Sequence, residues 1–315
     1  MIGEAHRLTA GYVARHVPPG SRLGRDIAAL DIAQDFLLAH LHQAGFFPDL
    51  LVFKGGTALR KFFAGSEGRF STDLDMAAVE LDVNRQELAA VIAEHATVTL
   101  GPFRFEARES RSRWHIRVMS EFGSPSVSMK LDVGPPCWLR PEVRPFVETK
   151  TQARYGFPLP RIPVMRLEEI LAEKVARITR SAIARDAFDL VWARSNSPHS
   201  QFSSGLVRRL AMLKVWVDNH GLGGTWRPAL SPRPFDVDGW FAPRDPWDDE
   251  QIGLLAHPPP SLADLERDLS TLYGWLRELT EEEARWAAAD LANKGEVIAA
   301  IRALDGGALA DAHLY

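Results

Sequence analysis

Residues 51–77 open with Leu51-Val52-Phe53-Lys54-Gly55-Gly56-Thr57-Ala58-Leu59-Arg60-Lys61 and close with Arg69-Phe70-Ser71-Thr72-Asp73-Leu74-Asp75-Met76-Ala77. Leu50–Phe53 is a short apolar run that reads as a buried strand, ended by the glycine pair. A helix over Ala58–Phe63 is expected next. Two glycines between strand and helix let the backbone approach a phosphate closely and face it with helix N–H groups. Phe70–Ala77 reads as a second strand. On it Asp73 and Asp75 are two residues apart, so both carboxylates leave the same face while Leu74 and Met76 point into a core. Carboxylates this close repel unless a cation lies between them. Their hard oxygens suit Mg²⁺, which favours a few carboxylates plus phosphate ligands.

Further along, Ser126–Val133 alternates, with Val127, Met129, Leu131 and Val133 on one face and Ser126, Ser128, Lys130 and Asp132 on the other. If this strand neighbours Phe70–Ala77, Asp132 joins the two aspartates, and three carboxylates can hold two metal ions for phosphoryl or nucleotidyl transfer. Phe103–Ala107 and Trp114–Met119 also read as strands. The stretch between 104 and 117 carries Arg104, Arg108, Arg111, Arg113 and Arg117. That run is either a solvated strand face or a surface for phosphates. Helices are expected over Gly24–Gly45 and Glu87–His95.

Prolines at 135, 136, 141, 145, 158, 160 and 163 then break the chain repeatedly. Beyond them the pattern turns helical. Leu167, Ile170, Leu171, Val175 and Ile178 form a stripe, followed by Asp186–Arg194 and Val207–Asn219. Ser261–Leu279 and Glu281–Ala303 read as terminal helices, with Ser261 and Thr280 as N-caps. Gly221–Pro260 is rich in Gly, Pro, Trp and Asp and reads as an irregular excursion. Its Trp226, Trp240 and Trp247 suit packing more than base contact, and Asp245, Asp248, Asp249 and Glu250 suit a solvated loop. The expected fold is α+β: a mixed sheet flanked by helices over 1–163, then a mainly helical domain over 164–315.

The 315 residues hold 37 Lys+Arg against 41 Asp+Glu, so a wholly basic nucleic-acid coat protein is excluded. A lone cysteine, Cys137, forms no internal disulfide and points to a reducing compartment. No long apolar run or signal core stands out, so a cytoplasmic protein without a membrane role, and a monomer, are expected.

Taken together, the Gly55-Gly56-Thr57 and Asp73-Leu74-Asp75 elements resemble the signature of the DNA polymerase β-type nucleotidyltransferase superfamily. More narrowly, the whole quoted stretch resembles the AbiEii/MenT family of nucleotidyltransferase toxins from bacterial type IV toxin–antitoxin and abortive-infection systems. Two downstream elements match that family as well, Glu173-Lys174 and Arg185-Asp186-Ala187-Phe188-Asp189-Leu190. The resemblance runs over roughly residues 30–220. The 16 residues between Gly56 and Asp73 exceed the usual spacing of the superfamily.

The resemblance implies an Mg²⁺-dependent (alternatively Mn²⁺-dependent) enzyme that moves a nucleoside monophosphate from NTP to an acceptor hydroxyl. The 3′ end of tRNA is the expected acceptor, with a block of translation and growth as the outcome and a cognate antitoxin as partner. Asp73, Asp75 and Asp132 are the expected metal ligands, with Asp132 alternatively the base. Gly55, Gly56, Thr57, Lys61, Arg69, Ser71 and Lys174 are the expected nucleotide contacts, the Thr57 hydroxyl among the donors. Lys174 and Asp186 are the expected catalytic contribution of the second domain, supported by Arg185 and Asp189. Without the resemblance, Lys174 reads equally as a snorkelling lysine, and Asp186 and Asp189 as acids at an exposed helix start. Arg104, Arg108, Arg111 and Arg113 are candidate RNA contacts. A phosphate on Ser71 would add about −1.5 to −2 charges beside the metal site, so Ser71→Glu is expected to abolish transfer. Two other functions fit the same residues: transfer to a protein side chain, and an inactive NTP-binding module.

Overall fold

The computed structural model describes residues 2–17, 24–111, 113–122, 126–195, 201–222, 235–237, 239–241, 252–255 and 260–306. They fall into two compact units. One is drawn from Met1–Pro136 and Pro141–Val164, the other from Cys137–Arg140, Met165–Leu255 and Pro259–Tyr315.

The first unit contains α1 (Ala10–His16), α2 (Arg25–Gln43), β1 (Leu51–Lys54), α3 (Gly55–Leu59), β2 (Asp73–Ala78) and α4 (Arg85–His95). Then come β3 (Thr99–Leu100), β4 (Phe103–Ser110), β5 (Arg113–Ser120), β6 (Val127–Gly134), β7 (Glu142–Arg144) and β8 (Ile162–Val164). Its eight strands form one mixed sheet in the order β3-β4-β5-β6-β2-β1-β8-β7. β2 is antiparallel to β1 and parallel to β6. The alternation in β6 is what seats it: Met129, Leu131 and Val133 are buried while Ser128 and Asp132 are exposed. Across the neighbouring strands Leu74 pairs with Leu131, Met129 with Ile116, and Val118 with Phe105, all buried. This apolar face takes α2 and α4; the other face carries the polar residues.

Two elements differ from the sequence reading in ways that matter to the site. The helix after the glycines starts at Gly55 and widens into a π-helical turn over Arg60–Ala64. A π turn inserts an extra residue, and here Arg60 and Lys61 are both buried. The second strand begins only at Asp73. The carbonyls of Phe70 and Ser71 accept side-chain bonds from Arg69 Nη1 (2.9 Å) and Gln34 Nε2 (3.0 Å).

The second unit contains α5 (Leu167–Ile178), α6 (Ala184–Ser195), α7 (Ser204–Asn219), α8 (Leu262–Leu272), α9 (Glu281–Ala288) and α10 (Lys294–Arg302). α5 packs on α6 and α7, α6 on α8, and α7 on α9. The last expected helix is two. Thr280 and Glu283 form a capping box that starts α9. Ala289 then turns extended (ψ 133°), and the Asp290 side chain accepts from Asn293 N to begin a new turn. Ser261 does cap its helix, but Tyr273 leaves helical geometry ahead of Gly274, and a 3-10 turn replaces the remainder. Most of the expected 221–260 excursion lies outside the described residues, as do Trp226, Trp247, Asp245, Asp248, Asp249 and Glu250. Trp240 is described and is fully buried. Among the described residues no helix is long and apolar enough to cross a membrane.

Candidate active site

The glycine pair meets the aspartates at the end of β1. Lys54 stands opposite Asp75 in the β1–β2 ladder. Gly55 follows with φ +79°, in the region that L side chains rarely adopt. A Cβ on Gly55 would collide with the Asp75 carboxylate, and one on Gly56 with the Arg69 guanidinium, with the Ser71 hydroxyl close by. The absence of both side chains is therefore what lets Asp75 and Arg69 lie directly against this loop. Asp73 and Asp75 are half-buried and share a face, with Leu74 and Met76 fully buried behind them.

Thr57 is fully buried, and its hydroxyl donates to the Asp73 carbonyl at 2.5 Å. The expected donation of this hydroxyl to a phosphate is therefore corrected. Thr57 instead ties the loop to the strand that bears the aspartates. Arg69 and Ser71 are both buried beside Gly56, and Arg69 also holds the Phe70 carbonyl.

Asp132 does neighbour Asp75, for the two are partners in the β2–β6 register. Its carboxylate is 60% exposed and meets Lys130 Nζ at 3.2 Å. Among the described residues no group of three or more His, Cys, Asp or Glu side chains gathers as a metal-binding set. Asp132 stands beside the pair Asp73 and Asp75, where it was expected as third ligand or base. Two half-buried carboxylates next to a glycine backbone fit Mg²⁺, which takes one or two protein carboxylates plus substrate phosphates.

Lys61 is elsewhere. It is buried, its Nζ bonded to the Asp31 carbonyl (2.7 Å) and to Asp35 Oδ1 (2.6 Å). Its assignment as a nucleotide contact is corrected, because its charge is neutralised inside the protein. Asp31 also receives Arg60 Nε (2.8 Å) and stands 2.7 Å from His16 Nε2. Tyr155 donates to Asp35 Oδ2 at 2.7 Å. Burial alone would raise the Asp31 carboxyl, but the Arg60 and Lys61 charges, with His16, hold it well below the usual range. Burial, then the Asp35 charge and hydrogen bond, push the Tyr155 phenol well above its ordinary value. The sequence reading missed this network. Its signal was Asp31 and Asp35 at i and i+4 within the mostly apolar run 27–39.

Lys174, Asp186 and Asp189 come together in the second unit. Lys174 Nζ lies 3.2 Å from Asp186 and 2.7 Å from Asp189, all three buried, so neither the snorkelling nor the exposed-acid description applies. Arg177 also pairs with Asp186, a contact no motif announced. Arg185 is half-buried on the same helix.

The Arg run divides. Arg104 and Arg108 on β4 and Arg113 on β5 are exposed strand residues. Arg111 sits in the turn between those strands, with φ +50°.

The family model described as nucleotidyl transferase AbiEii toxin, type IV toxin–antitoxin system, matches residues 36–273. Among solved structures, the chain is similar to MenT4, a nucleotidyltransferase toxin from Mycobacterium tuberculosis H37Rv. That match has 36% identity and a TM-score of 0.80, covering 94% of this chain and 99% of that one. It is also similar to JHP933 from Helicobacter pylori, at 16% identity and a TM-score of 0.46 over 84% of this chain and 97% of that one. No curated protein sequence matches.

Proposed function

Because this chain belongs to the AbiEii family of nucleotidyltransferase toxins of type IV toxin–antitoxin systems, we propose that it transfers a nucleoside monophosphate from NTP to the 3′ hydroxyl of tRNA and so blocks translation. Membership of that family brings an NTP substrate and an antitoxin partner. The observation that carries the reading is the close approach of the Asp75 carboxylate to Gly55, which leaves no room for a Cβ there. That closeness supports a phosphate cradle and a pair of hard oxygen donors within one ligand's reach.

In this reading Asp73 and Asp75 hold Mg²⁺, which when bound supplies Lewis-acid stabilisation of phosphate charge. The residues themselves do the rest. The Gly55 and Gly56 backbone cradles the triphosphate, and the Arg69 guanidinium behind Gly56 adds positive potential to it. Thr57 fixes the distance between cradle and strand. The acceptor oxygen bonds to the α-phosphorus, the bond from that phosphorus to the β-bridging oxygen breaks, and pyrophosphate leaves. Asp132, exposed and beside Asp75 in register, takes the acceptor's proton. Lys174, Asp186 and Asp189 carry the family motifs as a buried ion-pair cluster of the second unit, where their charges are spent on one another.

The test mixes protein, Mg²⁺, deacylated tRNA and each α-³²P-labelled NTP, with Asp75→Ala alongside. A labelled tRNA band that requires Asp75 is the expected result. Label on a protein instead, or on nothing, overturns the acceptor or the activity respectively.

A further inference from the structure

The sheet register carries a relation that the Arg run alone does not contain. Asp73 of β2 is level with Lys130 of β6, Lys130 with His115 of β5, and His115 with Arg108 of β4. A second row joins Ser128, Arg117 and Glu106. Residues paired in this way point to the same side of a sheet. The carboxylates of β2 and the cations of β4–β6 therefore share one face, opposite the buried face of Leu74, Leu131, Ile116 and Phe105. Five cations lie on it, Arg104, Arg108, Arg113, Arg117 and Lys130, against the acids Glu106 and Asp132 outside the catalytic pair.

The arginines are open to solvent: the side chains of Arg104 and Arg108 are 65% and 71% exposed. Their pairs with Glu106, and that of Lys130 with Asp132, are exposed pairs that yield readily to a phosphate. Thr97, Thr99, Arg104 and Arg108 also line an open depression of about 540 Å³ at the outer end of this face. Neighbouring strands lie about 4.8 Å apart, so β2 to β4 spans roughly 14 Å. At about 3.4 Å per nucleotide this accommodates roughly four stacked nucleotides.

We propose that the open face of β4, β5 and β6 is the bed for the acceptor RNA. Its phosphates run from Arg104 and Arg108 across Arg117 and Lys130, delivering the 3′ hydroxyl to the carboxylates of β2. This rests on the transfer reading above for the identity of the strand. It adds Arg117 and Lys130 to the candidate contacts, leaves out Arg111 at the hairpin turn, and gives the strand a direction. Excess positive charge on an exposed surface suits a phosphodiester backbone, and the single near-central acid, Glu106, works against it.

The test reads binding without turnover. A fluorescent RNA hairpin with a four-nucleotide single-stranded 3′ end is titrated with full-length Asp75→Ala protein, with and without Arg108→Glu and Arg117→Glu. The charge reversals are expected to raise Kd at least tenfold. The slope of log K against log salt should also flatten by roughly 1.4, at about 0.7 per lost phosphate contact. Glu106→Gln, which removes the opposing charge, is expected to tighten binding several-fold, so a loss caused by misfolding is told apart. With Asp75 restored, the two reversals should raise KM for the acceptor and leave KM for NTP unaltered. An unchanged Kd and salt slope overturns the proposal, as does binding of an acidic protein in preference to RNA. If RNA is labelled by the wild type and the reversals change nothing, the face fails while the transfer reading stands. If the binding difference holds but no RNA is ever labelled, the transfer reading fails and the face stands.

Discussion

At the scale of single residues, the site is set by what Gly55 lacks. Its φ of +79° and the closeness of the Asp75 carboxylate exclude any side chain. An alanine there incurs about 1–2 kcal/mol of left-handed backbone strain and must also displace Asp75. Gly55→Ala is therefore expected to abolish transfer while lowering stability only modestly, read by the labelling assay alongside urea unfolding. Asp75→Asn keeps the shape and removes the charge. A loss of transfer of at least 100-fold is expected of it, since an aligned charged group of this kind contributes that much or more, with the unfolding midpoint little changed. Thr57→Val removes the hydroxyl that holds the Asp73 carbonyl. It is expected to destabilise by about 1–3 kcal/mol, the cost of stranding a buried partner.

At the scale of elements, the helix α2 and the π-helical turn after α3 are joined by buried charges. Asp31 faces His16, Arg60 and Lys61, and Asp35 faces Lys61 and Tyr155. Breaking one partner of a buried pair leaves the others uncompensated, so Asp31→Asn is expected to lose about 3–5 kcal/mol. The folded pKa of Asp31 lies well below its unfolded value of about 3.9. Its contribution is therefore complete above that pH and is lost as pH falls through the folded value. Urea unfolding followed from pH 6 down to pH 2 should show a fall in stability for the wild type that is smaller in Asp31→Asn. Sequence periodicity found α2 as a helix, but it could not pair Asp31 with Arg60, because the partners lie 29 residues apart and meet only once the π turn forms.

At the scale of the whole molecule, ligand binding should be visible as stability. A nucleotide that binds only the folded chain stabilises it by about 2.7 kcal/mol at a hundredfold excess over Kd. NTP with Mg²⁺ is expected to raise the melting temperature of the wild type and to leave Asp75→Ala where it was, as read by differential scanning fluorimetry. In the second unit Glu169 is a comparable structural clamp. Its carboxylate accepts the backbone N–H groups of Trp138 (2.8 Å) and Leu139 (2.9 Å), and Lys214 approaches at 3.1 Å. It anchors Cys137–Arg140 to the helices although prolines separate that segment from them in sequence.

The sequence by itself determined the local chemistry. Two glycines ahead of a helix, two aspartates at strand spacing and one alternating strand each follow from the period of their own element, and each is visible within a few residues. It also determined the family, since motif order is a property of the chain. Tertiary structure alone decided which charges are committed inside the protein. Lys61 and Arg60 look like Lys and Arg anywhere else until Asp31 and Asp35 are brought against them. Tertiary structure likewise decided that Asp132 stands beside Asp75 but turns to Lys130, and that arginines of two further strands share the aspartates' face. Those relations depend on strand order and register, which arise from long-range pairing and not from any local period.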